Sequence, residues 1–193
     1  GEKVAINLHR NSALYTHNVD VICGSWSKNL LAGSTDSNCT WDTSADKNSL
    51  YAQLPSNTGD FKIRVSTNCG TLHIGDSDAK LKAAIVNGNP IFSDFTFQDT
   101  NPATVALTGD NQKLVCGQSK VAVTISAANK ATSNTGATIK NYTVTCGEKA
   151  VTVPFTSGYV VAETINPSSG IIQVTATDSR NNPAVVSKQA DFV

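Results

Sequence analysis

Ile171-Ile-Gln-Val-Thr-Ala-Thr-Asp-Ser-Arg-Asn-Asn182 is the stretch whose reading decides the fold. Ile172, Val174 and Ala176 alternate with Gln173, Thr175 and Thr177, the period-two pattern of a strand with one buried and one wet face. Asp178 follows on the buried face, where the strand must be leaving the core. An acid there is satisfied by accepting backbone N–H bonds from the following turn, and Asn181-Asn182-Pro183 supplies turn chemistry. Asp178 and Arg180 are therefore expected to be structural, Asp178 capping the turn and Arg180 pairing locally or covering the sheet end with its stem.

Upstream of this strand the same alternation recurs. Val121, Val123 and Ile125 share one face, as do Tyr142, Val144 and Cys146, and Val151, Val153 and Phe155 form a further short strand. Tyr159 to Ile165 reads as another strand, Asn166-Pro-Ser-Ser-Gly170 as a turn, and Val185 to Phe192 as the strand that closes the sheet. About seven short strands in roughly 100 residues, with frequent turn signals, fit an immunoglobulin-like sandwich. This half has no Trp, so Phe95, Phe97, Tyr142 and Phe155 must supply the bulk of an otherwise aliphatic core.

Asn87-Gly-Asn-Pro90 interrupts two apolar strands with four turn formers, which sets a domain boundary. The expectation is two tandem β-sandwich domains, residues 1–88 and 89–193. In the first, Val4, Ile6 and Leu8, then Val19, Val21 and Cys23, read as an opening hairpin turned at Asn11-Ser12. Gly24-Ser-Trp-Ser breaks the pattern, Gly33-Ser-Thr-Asp-Ser-Asn38 is loop, and Cys39-Thr-Trp41 is a short strand. Asp42 to Leu54 is expected to cross between sheets as coil or a short helix ended by Pro55. Phe61, Ile63, Val65 and Thr67 mark a strand that turns at Cys69-Gly70, and Leu81, Ala83 and Ile85 end the domain.

Composition narrows function. Only 16% of residues are charged and 6% aromatic, which favours strands and turns over helices. Fifteen basic residues balance fifteen acidic ones, leaving no basic field for nucleic acid or an anionic membrane. No apolar run approaches the roughly 20 residues that span a bilayer, so a soluble chain without membrane insertion is expected. The chain has no Met and starts at Gly1, which suggests a processed product or a piece of a longer polypeptide.

Catalytic and metal signatures are missing. His9, His17 and His73 are not spaced with other ligands, there is no Cys-x-x-Cys pair, and the Asp36 and Asp76-Ser-Asp78 loops lack the calcium-loop pattern. Neither a nucleophile motif nor a singled-out pair of carboxylates occurs. The reading is non-enzymatic, with no cofactor and no metal. The five cysteines are free and buried, or one or two disulfides form. Trp26, Trp41 and Tyr15 are the candidate glycan-contact residues, set against core or rim roles for each Trp.

Three motifs carry a family resemblance. Val174-Thr-Ala-Thr-Asp-Ser-Arg180 is similar to the penultimate strand of the immunoglobulin-like modules repeated in tail structural proteins of bacteriophages infecting Gram-positive bacteria. That family has Gly after the Arg where this chain has Asn181, which also tolerates a left-handed backbone. Ser119-Lys-Val-Ala-Val-Thr-Ile125 with Gly136-Ala-Thr-Ile-Lys-Asn-Tyr142 resembles the second and third strands of the module. Phe92 to Thr100 leading into Thr104-Val-Ala-Leu-Thr-Gly-Asp110 resembles its linker and first strand. In the first half, Thr16-His17, Gly24-Ser25-Trp26, Thr40-Trp41 and Leu54-Pro55 follow the order of the family's N-terminal module.

The resemblance implies a virion structural protein of a phage tail or tail tip, assembled in the reducing cytoplasm of the host. Its modules would act as spacer, assembly surface or host-surface contact. Implied partners are other tail proteins, further copies of the chain in a homo-oligomer, and a host cell-surface glycan. The alternatives are a bacterial adhesin stalk fragment, with Lys120, Asp178 and Asn181 or Asn182 as an isopeptide trio, and a carbohydrate-binding module.

Overall fold

The computed structural model describes residues 2–156, 160–165 and 167–193, with backbone alone over 160–165. Tyr159 and Asn166, expected to start a strand and a turn, lie outside the described residues. The chain is all-β and divides into two compact units, Gly1–Asn87 and Gly88–Val193.

The N-terminal unit holds β1 (Lys3–Asn7), β2 (Tyr15–Cys23), β3 (Trp26–Ser34), β4 (Asn38–Asp42), α1 (Lys47–Ala52), β5 (Thr58–Cys69) and β6 (Leu72–Ala84). Four strands form a sheet in the order β3-β2-β5-β6, and β1 and β4 form a separate two-stranded ribbon. Val19, Val21, Phe61 and Ile63 point from the sheet into one core with Ile6, Trp41, Leu50 and Leu54 from the ribbon and α1. The sheet thus buries one face beneath a second layer of ribbon and helix.

The opening hairpin is placed differently from the sequence reading. β1 pairs with β4 and not with β2. The true hairpin is β2 to β3, where Cys23 pairs with Trp26 across Gly24-Ser25. Gly24 has φ +55, so the apparent break in the pattern is a two-residue turn that needs a left-handed first residue. β3 then runs on to Ser34, into the stretch read as loop. Alternation reveals which face of a strand is wet, but not which neighbour it pairs with.

The C-terminal unit contains β7 (Thr96–Asp99), α2 (Pro102–Thr108), β8 (Lys113–Leu114), β9 (Val121–Thr124), β10 (Ile139–Cys146), β11 (Lys149–Pro154), β12 (Val160–Ile165), β13 (Ile171–Asp178), β14 (Pro183–Gln189) and β15 (Asp191–Phe192). One sheet runs β11-β10-β13-β14 and another β12-β9-β7, while β15 and β8 pair in parallel. Tyr142, Val144 and Cys146 pair with Ala176, Val174 and Ile172, and these meet Phe95, Val121 and Val123 in the sandwich core. Tyr142 is fully buried, stacks at a tilt on Phe92 and Phe155, and accepts a hydrogen bond on its hydroxyl from Ala131 N–H. Phe97 and Phe155 pack at the core's edge, partly buried.

Two expectations are corrected here. Thr104 to Asp110, read as a first strand, is mostly helix α2. Asn101 caps it by accepting from Ala103 N–H, Pro102 stands at its first turn, and Gly109 closes it at φ +67. Those local signals outweigh the β-branched residues within. Val185 to Phe192 is also not one strand, because the chain leaves the large sheet after Gln189 and pairs beside Leu114 as β15.

All five cysteines are free, but only Cys23 and Cys146 are buried; Cys39 and Cys69 are half-buried and Cys116 is exposed. Desolvation pushes the thiols of Cys23, Cys39 and Cys146 upward, away from the reactive thiolate. No described helix is long and apolar enough to cross a membrane.

Candidate functional site

A hollow of the N-terminal unit has a volume of about 510 Å³. Trp41 of β4, Tyr51 of α1 and Phe61 of β5 form its aromatic wall, and the exposed Lys47 and Lys82 stand at its rim with Glu2. Trp41 and Phe61 meet edge to face, with centroids 5.9 Å apart. An apolar floor beneath two ammonium groups suits a ligand with both an apolar face and acidic or hydroxyl groups.

Trp41 is the hollow's floor and offers no stacking face, being only 2% exposed. Its indole Nε1 donates to Asp46 Oδ2 at 2.8 Å, and Lys28 Nζ donates to the same oxygen at 2.6 Å. Burial pushes the Asp46 carboxyl up, but these two hydrogen bonds and the Lys28 charge outweigh it and hold the group below its usual range. Asp46 therefore ties β3, β4 and the start of α1 together. Its carboxylate makes no helix-capping bond although it stands at the N-cap of α1.

The three candidate glycan residues do not form one platform. Trp26 is half-buried and packs against the core, Trp41 floors the first hollow, and Tyr15 lines a second one of about 230 Å³. The second hollow also takes in His9, His17, Thr67 and Asp76. His17 is 3% exposed; its Nδ1 lies 3.1 Å from Thr67 Oγ1, and its Nε2 has no hydrogen-bond partner among the described residues. Among the described residues no group of three or more His, Cys, Asp or Glu could hold a metal ion.

In the C-terminal unit Asp178 is fully buried at the end of β13. Its Oδ1 accepts from the N–H groups of Arg180 and Asn182, both at 2.8 Å, and its Oδ2 accepts from Asn182 Nδ2 at 2.9 Å. Asn181 between them has φ +66, the left-handed geometry that Asn tolerates. Arg180 Nη1 donates to the carbonyl and hydroxyl oxygens of Thr135, each at 3.1 Å, so it fastens a loop distant in sequence. Lys120 is exposed, and the acid of the imagined isopeptide trio serves Asn182 instead.

Sequence reasoning missed Asp99. This carboxylate, 3% exposed at the end of β7, accepts from the hydroxyls of Thr104 and Ser119 and from the N–H groups of Asn101 and Lys120. Burial drives its pKa up, yet the four donors together pull it down further, with Ser119 and Thr104 leading. The available signal was Asp99 just before Asn101-Pro102, an acid at a strand end meeting a helix start. Asp99 and Asp178 are both polar cores of turns, each held by hydrogen bonds that fasten the chain around it.

The sequence matches, over residues 1–190, a family model described as "Siphovirus protein of unknown function (DUF859)". No curated protein matches the chain. Among solved structures, the chain is similar to the fibronectin(III)-like modules of Clostridium thermocellum CbhA at 10% identity and a TM-score of 0.31, with 100% of this chain and 87% of that chain covered.

Proposed function

The chain belongs to this siphovirus protein family, and from that premise we propose that it is a non-enzymatic structural protein of the virion, carried on the tail or tail tip. The family match along nearly the whole chain carries the reading. Two β-sandwich units joined in tandem suit such work, since each is compact and tandem linkage sets reach. In this reading the C-terminal unit is an immunoglobulin-like spacer or assembly module, the host is Gram-positive, and assembly takes place in its cytoplasm, where the five free thiols stay reduced. Antibodies against the chain, used in gold labelling of intact particles, should decorate the tail. Labelling of heads alone, or of no particle at all, would remove the tail assignment.

The N-terminal hollow supports a host-contact role for that unit, toward a cell-surface glycan. Tyr51, half-buried on the wall, is the aromatic a sugar ring would meet, with Lys47 beside it for an acidic substituent. Phage carrying Tyr51→Ala should adsorb to host cells roughly tenfold more slowly, the loss of one aromatic contact of about 1.4 kcal/mol. Adsorption at the parental rate would leave the unit a spacer.

A further inference from the structure

Strand β6 is the outer strand of the N-terminal sheet, pairs among the described residues only with β5, and is exposed along nearly all of its 13 residues. Such a long edge offers a row of unpaired backbone N–H and C=O groups that proteins normally blunt or use. Its charges follow an order that blunting alone does not require: Asp76, Asp78, Lys80 and Lys82 alternate with Ser77, Ala79 and Leu81. All four charged residues lie on one face, two acids first and two bases after, around Ala79.

From this order we infer that β6 is a self-association edge, pairing antiparallel with β6 of a second copy about a two-fold axis at Ala79. In that register Asp78 stands opposite Lys80 of the partner subunit and Asp76 opposite the partner's Lys82. The two-fold repeats both, so every cross-strand charge pair is attractive. Sliding the strands by two residues in either direction sets Asp78 against Asp78 or Lys80 against Lys80. Parallel pairing in register sets all four charges against their like. Among antiparallel registers that set these charged residues opposite one another, only the one centred on Ala79 is free of repulsion.

Two features of the unit support this choice. The β5–β6 ladder is regular from Gly75 to Ala84, with its irregularity at Thr67/Asn68 next to Ile74, so Ala79 lies within the straight portion of the edge, beside its middle. Within the unit Lys80 stands directly across from Lys62, a like-charge pair, while Lys62 Nζ is drawn 2.8 Å from Asp78. Among the described residues neither Lys80 nor Lys82 makes an ion pair. An aspartate arriving on the open side of Lys80 supplies the ion-pair partner that Lys62 finds in Asp78 and that Lys80 lacks among the described residues.

The test uses the purified full chain, so its failure leaves the tail assignment standing. Sedimentation equilibrium at about 0.1 mM should show a dimer, and Lys80→Asp with Lys82→Asp should weaken it about 100-fold by making all four cross-strand pairs acidic. Within the unit Lys80→Asp faces Lys62 and Lys82→Asp faces Asp60, so the double change exchanges one cross-strand like-charge pair for another. In a Cys116→Ser background, Ala79→Cys should give an oxidised covalent dimer, because paired Cα atoms on the axis lie about 4.5–5.5 Å apart. Ser77→Cys should not, since its two copies are offset by about 13 Å along the strands. A monomeric wild-type chain, equal crosslinking by both cysteine variants, or a charge-reversed variant that dimerises as before would each overturn the inference.

Discussion

Trp41→Ala is expected to unfold the N-terminal unit well below the melting temperature of the wild type, and not merely to weaken a ligand contact. The indole is 2% exposed, packs edge to face on Phe61, and lies in one core with Leu50 and Leu54 of α1. Removing so large a buried ring costs about 3–5 kcal/mol in transfer and cavity terms. The loss of its Nε1 bond adds to this, because Asp46 then keeps only Lys28 of the two partners that hold it charged. Trp41→Phe keeps most of the volume and loses the hydrogen bond, so it should cost about 1–2 kcal/mol. Urea unfolding followed by Trp26 fluorescence measures both. A Trp41→Ala chain within 1 kcal/mol of wild type would show that the ring does not hold β4 and α1 on the sheet.

Asp99→Ala should have a comparable effect on the other unit. It leaves two hydroxyls and two backbone N–H groups facing an empty site, at a cost of about 3 kcal/mol or some 12–24 °C in a domain of this size. The pH dependence distinguishes lost bonds from lost packing. Because the folded carboxyl titrates below its unfolded value, its contribution is complete above an unfolded pKa of about 3.9 and disappears as pH falls through the folded one. The stability gap between wild type and Asp99→Ala should therefore be constant near neutral pH and shrink in acid below about pH 4. Asp94, whose carboxyl Lys188 draws down by hydrogen bond and charge, is present in both chains and cancels from the difference. A gap that stays unchanged to pH 2 would mean that Asp99 is not the anionic centre of these bonds. Asp78 is also held low, by hydrogen bonds from Arg64 and Lys62, but it lies on the solvent-facing sheet edge, where screening weakens its contribution, and it is present in both chains.

The Trp41 variants bear on what the aromatic residues are for. Trp26, Trp41 and Tyr15 are the rings of the expected glycan platform, set against core or rim roles for each Trp. Burial assigns Trp41 to the core and leaves Tyr51, which has no motif around it, as the ring beside the hollow. A side chain's accessibility depends on what folds over it, and here Trp41 shares its core with Leu50 of the nearby α1 and with Ala83 of β6, which is distant in sequence.

The sequence by itself determined the local half of this protein. Period-two alternation located β2, β5, β9, β10, β13 and the strand faces that became the two cores, since alternation is a property of one strand and its burial. The Asp178-to-Asn182 corner was equally legible, because a buried acid followed by turn formers has few ways to be satisfied, and its bonds span at most four residues. Only the tertiary structure decided the rest. The pairing of β1 with β4, the transfer of the last residues to β8, the Arg180 bond to Thr135 and the Asp99 cluster each join groups far apart in the chain. Their residues carry no periodic mark, and what fixes them is the closing of loops and the demand that each buried polar group find a partner in whatever strand lies next to it.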